Sequence, residues 1–126
     1  GHDRLVDLMA AMAATEVQRR AKERVALRGI AQLLRAQHSS VDVRTHDIGV
    51  DGMCIISPVN LVHTVPFTLR FFLPLKPRVS TSFELQVRVS YSVYSRAVDG
   101  FRAGLQFATP PSPDLVAAIE SLKHPH

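Results

Sequence analysis

Apolar and polar residues alternate along much of the chain, with the two-residue period of a strand that has one buried face. The clearest run is 82–94, in which every second residue from Phe83 to Val93 is apolar and the residues between them are polar. This run predicts one inward face that includes Tyr91. Shorter alternating runs predict strands over 41–46 and 101–107, and a nearly all-apolar run predicts a buried strand over 52–57. Further strands are predicted over 26–36 and 67–73.

Apolar side chains repeat every three or four residues at the start of the chain, which predicts a helix over 3–23 with Asp3 as its cap. We expect the apolar stripe of this helix to cover the domain, to pair with a second copy, or to continue from an upstream domain. Near the other end, Ser112 and Pro113 predict the cap and first residue of another helix. Its predicted buried side consists of Leu115, Ile119 and Leu122.

The strands follow one another through short turns, and no strand–helix–strand alternation is present, which excludes a doubly wound sheet. Asp99-Gly100 predicts a hairpin turn, and Pro74 predicts the end of the fourth strand because proline cannot donate a ladder hydrogen bond. The predicted fold is mainly β, a six-stranded antiparallel β-barrel with an N-terminal and a C-terminal helix. We predict two parts, with the first helix and an arginine-bearing linker in 1–24 and the barrel with its C-terminal helix in 25–126.

Composition places the chain among soluble globular proteins. It has 126 residues, 46% of them hydrophobic and 21% charged, which suits one folded domain. No apolar run approaches the ~18 residues of a spanning helix, and no secretory signal opens the chain. Gly1-His2 resembles the remnant of an expression tag. We therefore expect a cytoplasmic protein, of which this chain can be a fragment.

The chain carries a formal net charge of +4, which favours an anionic partner. Lysine occurs only at 22, 76 and 123, and every other basic residue is arginine, whose planar fork binds phosphate in a bidentate manner. Aromatic residues make up only 6% of the chain, and tryptophan is absent. We therefore do not expect general nucleic-acid binding, which would use an extended stacking platform.

Candidate binding residues fall in two short segments. Arg20 and Arg24 stand four residues apart just before the first predicted strand. The glycine turn, Asp47-Ile48-Gly49-Val50-Asp51-Gly52, lies between the second and third strands. Arginine holds phosphate, and a carboxylate accepts hydrogen bonds from the guanine edge, so these residues predict a site for an anionic, guanine-bearing ligand.

The arginine pair, the glycine turn and the later run Gly104-Leu105-Gln106-Phe107 occur in an order that resembles the PilZ domain, a bacterial receptor module for the second messenger cyclic di-GMP. The resemblance covers roughly 19–122. It implies that Arg20 and Arg24 wrap the ligand, that Asp47 accepts from a guanine edge, and that Gly52 allows a tight backbone turn. Arg19 would add to the field that attracts phosphate.

The chain departs from the family pattern at one position, because Gly49 stands where the motif has serine. The missing hydroxyl removes one hydrogen bond of roughly 0.5–1.5 kcal/mol, so we expect weaker but not abolished binding. The substitution Gly49→Ser is expected to tighten it. We also expect Gly49 to loosen the turn, since glycine restricts the backbone least.

Other interpretations of these residues remain open. The two arginines also suit solvated charges at a helix end, and Asp47 suits an ordinary turn former. The alternative function is a divergent PilZ domain that acts without nucleotide, as a protein-interaction or oligomerisation module, with a homodimer formed through the N-terminal helix. We predict no enzyme activity, cofactor or metal site, because the spacing of the histidines specifies no metal and Cys54 has no partner in the sequence. The histidines considered are His38, His46 and His63.

Overall fold

The computed structural model describes residues 23–35, 39–61, 66–76 and 79–123. These ranges contain six strands and one helix. They are β1 (Val25–Leu34), β2 (Val41–Ile48), β3 (Gly52–Ser57), β4 (Phe67–Lys76), β5 (Val79–Ser95), β6 (Gly100–Phe107) and α1 (Pro113–Lys123). Residues 1–22, which carry almost all of the predicted N-terminal helix together with Arg19 and Arg20, lie outside the described part of the chain.

The six strands form one antiparallel sheet that closes on itself in the order β1-β2-β3-β6-β5-β4. This confirms the predicted mainly β fold, the closed antiparallel arrangement and the C-terminal helix. The pairing of β3 with β6 joins two parts of the chain that are far apart in sequence. Within the described ranges, no helix combines the length and the apolar composition that a membrane crossing requires.

The core lies inside the closed sheet and under α1. Phe71 and Phe83 stack there with their ring centroids 5.8 Å apart, and neighbouring aliphatic side chains fill the remaining space. Helix α1 begins as the sequence predicts, because the Leu115 N–H donates to Ser112 Oγ at 3.2 Å and Pro113 is the first helical residue. Its buried residues are Leu115, Ala118 and Ile119.

A β-bulge at Ser90 changes the facing of β5. Val89 pairs with Leu105 and Tyr91 with Gly104, so Ser90 has no opposite residue and the alternation of side chains reverses there. Val89 is buried, whereas Tyr91 is 46% and Val93 60% exposed. The prediction that Tyr91 and Val93 share the inner face with Phe83 is therefore wrong.

Strand β4 continues past Pro74, where the sequence predicts its end. Pro74 pairs with Ser80 of β5, and the register shifts before the next pair, Lys76 with Val79. On its other side β4 pairs with β1 only over residues 68–70. Proline is tolerated here because, among the described residues, only one edge of β4 has a partner strand at this point.

Candidate functional site

Four residues on adjacent strands form a row across the outer wall of the sheet. Asp47 pairs with Cys54, Cys54 with Gly104, and Gly104 with Tyr91. Ile48 after Asp47 belongs to the core, and so do both strand neighbours of Cys54 and of Gly104, so these three residues face outward. Tyr91 is 46% exposed and lies on the same side. We call them the outer row; it links β2, β3, β6 and β5 at the same level of the sheet.

A bulge at His46 shapes the β2 end of the outer row. Thr45 pairs with Ile55 and Asp47 with Cys54, which leaves His46 without an opposite residue in β3. Thr45 points inward, where its hydroxyl donates to the Leu27 carbonyl at 2.8 Å. His46 lies against the next side chain, and its Nδ1–H donates to Asp47 Oδ2 at 2.9 Å. The bulge thus brings an imidazole and a carboxylate, consecutive in the chain, into contact.

At the other end of the outer row, the Tyr91 ring lies directly on Gly104. A Cβ atom at position 104 would lie 2.2 Å from the ring, so glycine is required for this contact. The Tyr91 hydroxyl reaches to 3.8 Å from Cys54 Sγ. Partial burial raises the pKa of Tyr91 above 10.0, and the contact with Cys54 and the charge of Asp47 raise it further, against a lowering effect of Arg102.

Arg24 lies between the two carboxylates of the glycine turn. Its Nη1 is 3.4 Å from Asp47 Oδ1, and its Nη2 is 3.3 Å from Asp51 Oδ1. The second contact is an ion pair without hydrogen-bond alignment: Asp51 Oδ1 is shielded from solvent and has no hydrogen-bond partner among the described residues. All three side chains are partly exposed, so each pair stabilises the fold by only about 0–1 kcal/mol. Arg24 is therefore held loosely enough to exchange partners.

The glycines of the turn are needed for space rather than for unusual backbone angles, since none of the described glycines has a positive φ. A Cβ on Gly52 would lie 2.0 Å from the Leu105 carbonyl oxygen, so Gly52 allows β6 to approach β3. A Cβ on Gly49 would lie 2.7 Å from the Glu23 carbonyl oxygen and 3.0 Å from Arg24 Cδ. Gly49 therefore does not simply loosen the turn; it makes room for the residues that precede β1.

Glu23 and Arg24 are also tied to the C-terminal helix. Lys123 Nζ, in the last turn of α1, lies 2.8 Å from Glu23 Oε2 and 3.1 Å from Glu120 Oε1. The hydrogen bond to Glu23 is the largest cause of the raised pKa of Lys123, which partial burial opposes. Arg24 thus connects the segment before β1 to the glycine turn, and Glu23 connects the same segment to α1.

A pocket of about 420 Å³ opens over the outer row. This volume lies in the range of small-molecule sites, about 300–1,000 Å³. Its charged lining consists of two arginines and two aspartates, so these groups sum to no net charge. The lining residues are Arg24, Asp47, Asp51, Met53, Cys54, Ser90, Tyr91, Arg102, Gly104, Leu105 and Gln106.

Of the predicted site residues, Arg24 and Asp47 meet at this pocket and line it. Gly49 and Gly52 do not line it; Gly49 lies against Arg24, and Gly52 lies against the backbone of Leu105. Arg19 and Arg20 stay predictions, because they lie outside the described residues. The alternating pattern places Tyr91 on the inward face of its strand, and no sequence motif marks Arg102 or Cys54 as a pocket residue. Gly104, an isolated glycine inside a strand pattern, is the one signal that marks a close approach at this place.

Comparison with known proteins adds two findings. The PilZ domain family matches residues 18–123 of the chain. Among solved structures, the chain is similar to the inhibitor of motility MotI/DgrA of Bacillus subtilis, with a TM-score of 0.65 at 11% sequence identity. The similarity covers 81% of this chain and 49% of that one, so the chain spans about half the length of that structure. At this identity the likeness concerns the fold alone. No curated protein sequence matches the chain.

Proposed function

The chain belongs to the PilZ domain family, and we propose that its pocket over the outer row binds cyclic di-GMP. PilZ domains are binding modules for this second messenger rather than enzymes. The observation that carries the proposal is the meeting of Arg24 Nη1 and Asp47 Oδ1 at 3.4 Å, although the two residues belong to separate segments. A guanidinium and a carboxylate at one pocket mouth offer complementary partners for a phosphate and a guanine edge.

Each site residue has a chemical role in the proposal. The Asp47 carboxylate accepts hydrogen bonds from the N1–H and exocyclic amine of guanine, and Arg24 holds a phosphate. Gly49 and Gly52 keep the backbone close to the ligand. Tyr91 offers a partly exposed ring at the pocket, on which a base can stack.

The charge balance of the pocket makes the arginines before β1 essential to this function. Arg24 and Arg102 are offset by Asp47 and Asp51 in the pocket lining. A cyclic dinucleotide carries two phosphates, so its capture needs further positive charge, and Arg19, Arg20 and Lys22 stand just before Arg24 in the sequence. Binding then requires Arg24 to exchange its carboxylate partners for a phosphate.

This exchange supplies a physical route from ligand to partner. When Arg24 moves off the glycine turn, it displaces the preceding residue, Glu23, from Lys123 on α1. The segment before β1 then changes position relative to the closed sheet and presents a different surface. We therefore propose that the domain acts as a receptor whose N-terminal segment signals occupancy to a protein partner.

A second candidate function is a nucleotide-independent interaction module. Two observations favour it: the motif serine is replaced by Gly49, and Arg24 already has carboxylates as partners. In this case the ion pairs would fix the segment before β1 permanently, and the predicted N-terminal helix would carry the interaction or a homodimer.

Calorimetric titration with cyclic di-GMP separates the two functions. We expect micromolar binding, and a loss of affinity of about 10- to 100-fold in each of Arg20→Ala, Arg24→Ala and Asp47→Ala, because each substitution removes a charge-assisted hydrogen bond of about 1.5–3 kcal/mol.

Matched controls are available outside the pocket. Arg70→Ala removes an arginine whose partner is Glu84, and Asp42→Ala removes an exposed aspartate of β2. Neither should change the affinity. If no heat is detected at high micromolar ligand with the folded parent protein, the receptor function is wrong and the interaction module remains.

A further inference from the structure

A mixed cluster of metal-ligating side chains lies at the β2 end of the outer row. The cluster consists of His46, Asp47 and Cys54. Each offers one ligand atom, and the three atoms lie within 4.8 Å of one another. We propose that these three residues form a binding site for a zinc ion. The proposal does not depend on nucleotide binding.

The fold creates this cluster in two steps. Consecutive residues of a regular strand face opposite sides, but the bulge at His46 places its imidazole against Asp47. The β2–β3 register then sets Cys54 directly opposite Asp47. Neither step is visible in the spacing of these residues, which explains why the sequence predicted no metal site.

The donor set matches zinc. An imidazole nitrogen, a carboxylate oxygen and a thiolate are all zinc ligands, whereas magnesium and calcium prefer oxygen atoms alone. Zinc bonds of about 2.0–2.3 Å place tetrahedral ligand atoms roughly 3.5 Å apart, so side-chain movements of about 1 Å complete the site. His46 Nδ1 and Asp47 Oδ2 are already 2.9 Å apart. When the ion binds, Cys54 gives its thiol proton to solvent, and the neutral His46 imidazole carries its proton on Nε2 so that the Nδ1 lone pair faces the metal.

The surroundings support the three ligands. Arg24 contacts Asp47 Oδ1, which leaves Oδ2 on the side of His46. The Tyr91 hydroxyl, 3.8 Å from Cys54 Sγ, is placed to donate to the thiolate. Asp47 and Cys54 line the pocket, so the fourth zinc position is open to water or to an exogenous ligand.

One consequence rests on the proposed cyclic di-GMP function. Zinc and guanine would use the same Asp47 carboxylate, so the two ligands exclude each other. The messenger site would then respond to zinc, with weaker nucleotide binding when the metal is present.

Titration of the whole chain with cobalt(II) tests the site, because a thiolate bound to cobalt absorbs intensely in the near ultraviolet and imidazole or carboxylate ligands do not. We expect one cobalt ion with this absorption, displaced by zinc. Cys54→Ser should abolish the absorption, and His46→Gln should keep it while it lowers the affinity at least tenfold. Asp42→Asn, which changes an exposed carboxylate at the other end of β2, should change neither.

The competing explanation of cobalt binding is that the ion is held by the histidines near the chain ends. If the parent chain binds cobalt without the thiolate absorption, or if His46→Gln binds as tightly as the parent, the metal lies elsewhere and the proposal is wrong. Since His46 is partly exposed, its substitution tests the site even if Cys54→Ser fails to fold. A chain that shows the absorption but no heat with cyclic di-GMP would retain the zinc site and lose only the proposed receptor function.

Discussion

At the scale of single residues, Gly49 controls whether the segment before β1 can lie on the glycine turn. Its hydrogen atom faces the Glu23 carbonyl oxygen, where a Cβ would be only 2.7 Å away. The Gly49 N–H meanwhile donates to the Gly52 carbonyl at 2.9 Å and keeps the turn closed. Any larger residue must therefore displace Glu23 and Arg24.

We expect Gly49→Ser to tighten cyclic di-GMP binding by up to about tenfold, because a hydroxyl adds a hydrogen bond of about 0.5–1.5 kcal/mol. The same substitution pushes Arg24 away from Asp47 and so weakens a competing ion pair. Calorimetric titration of the variant beside the parent protein measures the combined effect.

Gly49→Ala separates the two contributions, since it adds the same Cβ without a hydroxyl. Equal gains in both variants would assign the effect to displacement of Arg24, and a gain in serine alone would assign it to the hydroxyl. No change in either variant would count against the receptor function.

Among the candidate site residues, the sequence singles out Arg24 and Asp47 through the order of the arginine pair, the glycine turn and the later Gly104-Leu105-Gln106-Phe107 run, which resembles the PilZ pattern. It does not identify Tyr91 or Cys54 as pocket residues. Both are apolar enough to pass for core, and their outward facing depends on strand register, which no local pattern records.

At the scale of elements, the sequence predicts all six strands and the C-terminal helix, since alternation and caps are local signals. The two bulges escape prediction because His46 and Ser90 are ordinary strand residues. Each bulge reverses the facing of the next residues in its strand, and so each moves a functional group onto the outer wall. The site is therefore formed at the places where the alternating pattern fails.

The reversal of facing at Ser90 can be tested through the pKa of the Tyr91 hydroxyl. In a Tyr94→Phe background, Tyr91 is the only tyrosine, and we expect its pKa in the folded protein to lie above 10.0, chiefly because of burial. Addition of Cys54→Ala should move the pKa back towards 10.0. The ultraviolet absorbance of tyrosinate, followed against pH, measures both values.

The raised pKa of Tyr91 also makes the stability of the fold depend on pH, because proton binding and folding are linked. Because folding raises this pKa, the contribution to stability is complete below pH 10.0 and is lost as the pH rises through the folded value. A folded pKa at or below 10.0 would mean that the hydroxyl is solvated and does not face Cys54.

At the scale of the whole molecule, α1 and the segment before β1 are coupled through Lys123 and Glu23, which join the two ends of the domain at 2.8 Å. Both side chains are partly exposed, so the pair should contribute no more than about 1 kcal/mol to global stability. Its effect is local: it fixes the residue next to Arg24.

We expect Lys123→Gln to leave the thermal midpoint nearly unchanged and to accelerate amide hydrogen exchange at Glu23, Arg24 and Val25, because these residues lose their attachment to α1. Exchange followed by NMR or mass spectrometry provides the measurement. Glu120→Gln is the matched control, since it removes the other partner of Lys123 and leaves Glu23 in place. Equal exchange in the parent and in Lys123→Gln would show that the pair does not hold the segment.

The pairing of β3 with β6 also determines when, during its synthesis, the protein can first bind a ligand in its pocket. Cys54 and Gly104 are neighbours across that ladder, although they are 50 residues apart in the sequence. A chain of which only the first three strands have left the ribosome does not yet have the pocket over the outer row. Pairing between strands that are distant in sequence is also the slow step in the folding of a β topology. Any molecule that occupies this pocket binds only finished copies and protects them against unfolding, so its concentration would influence how much of the protein stays folded.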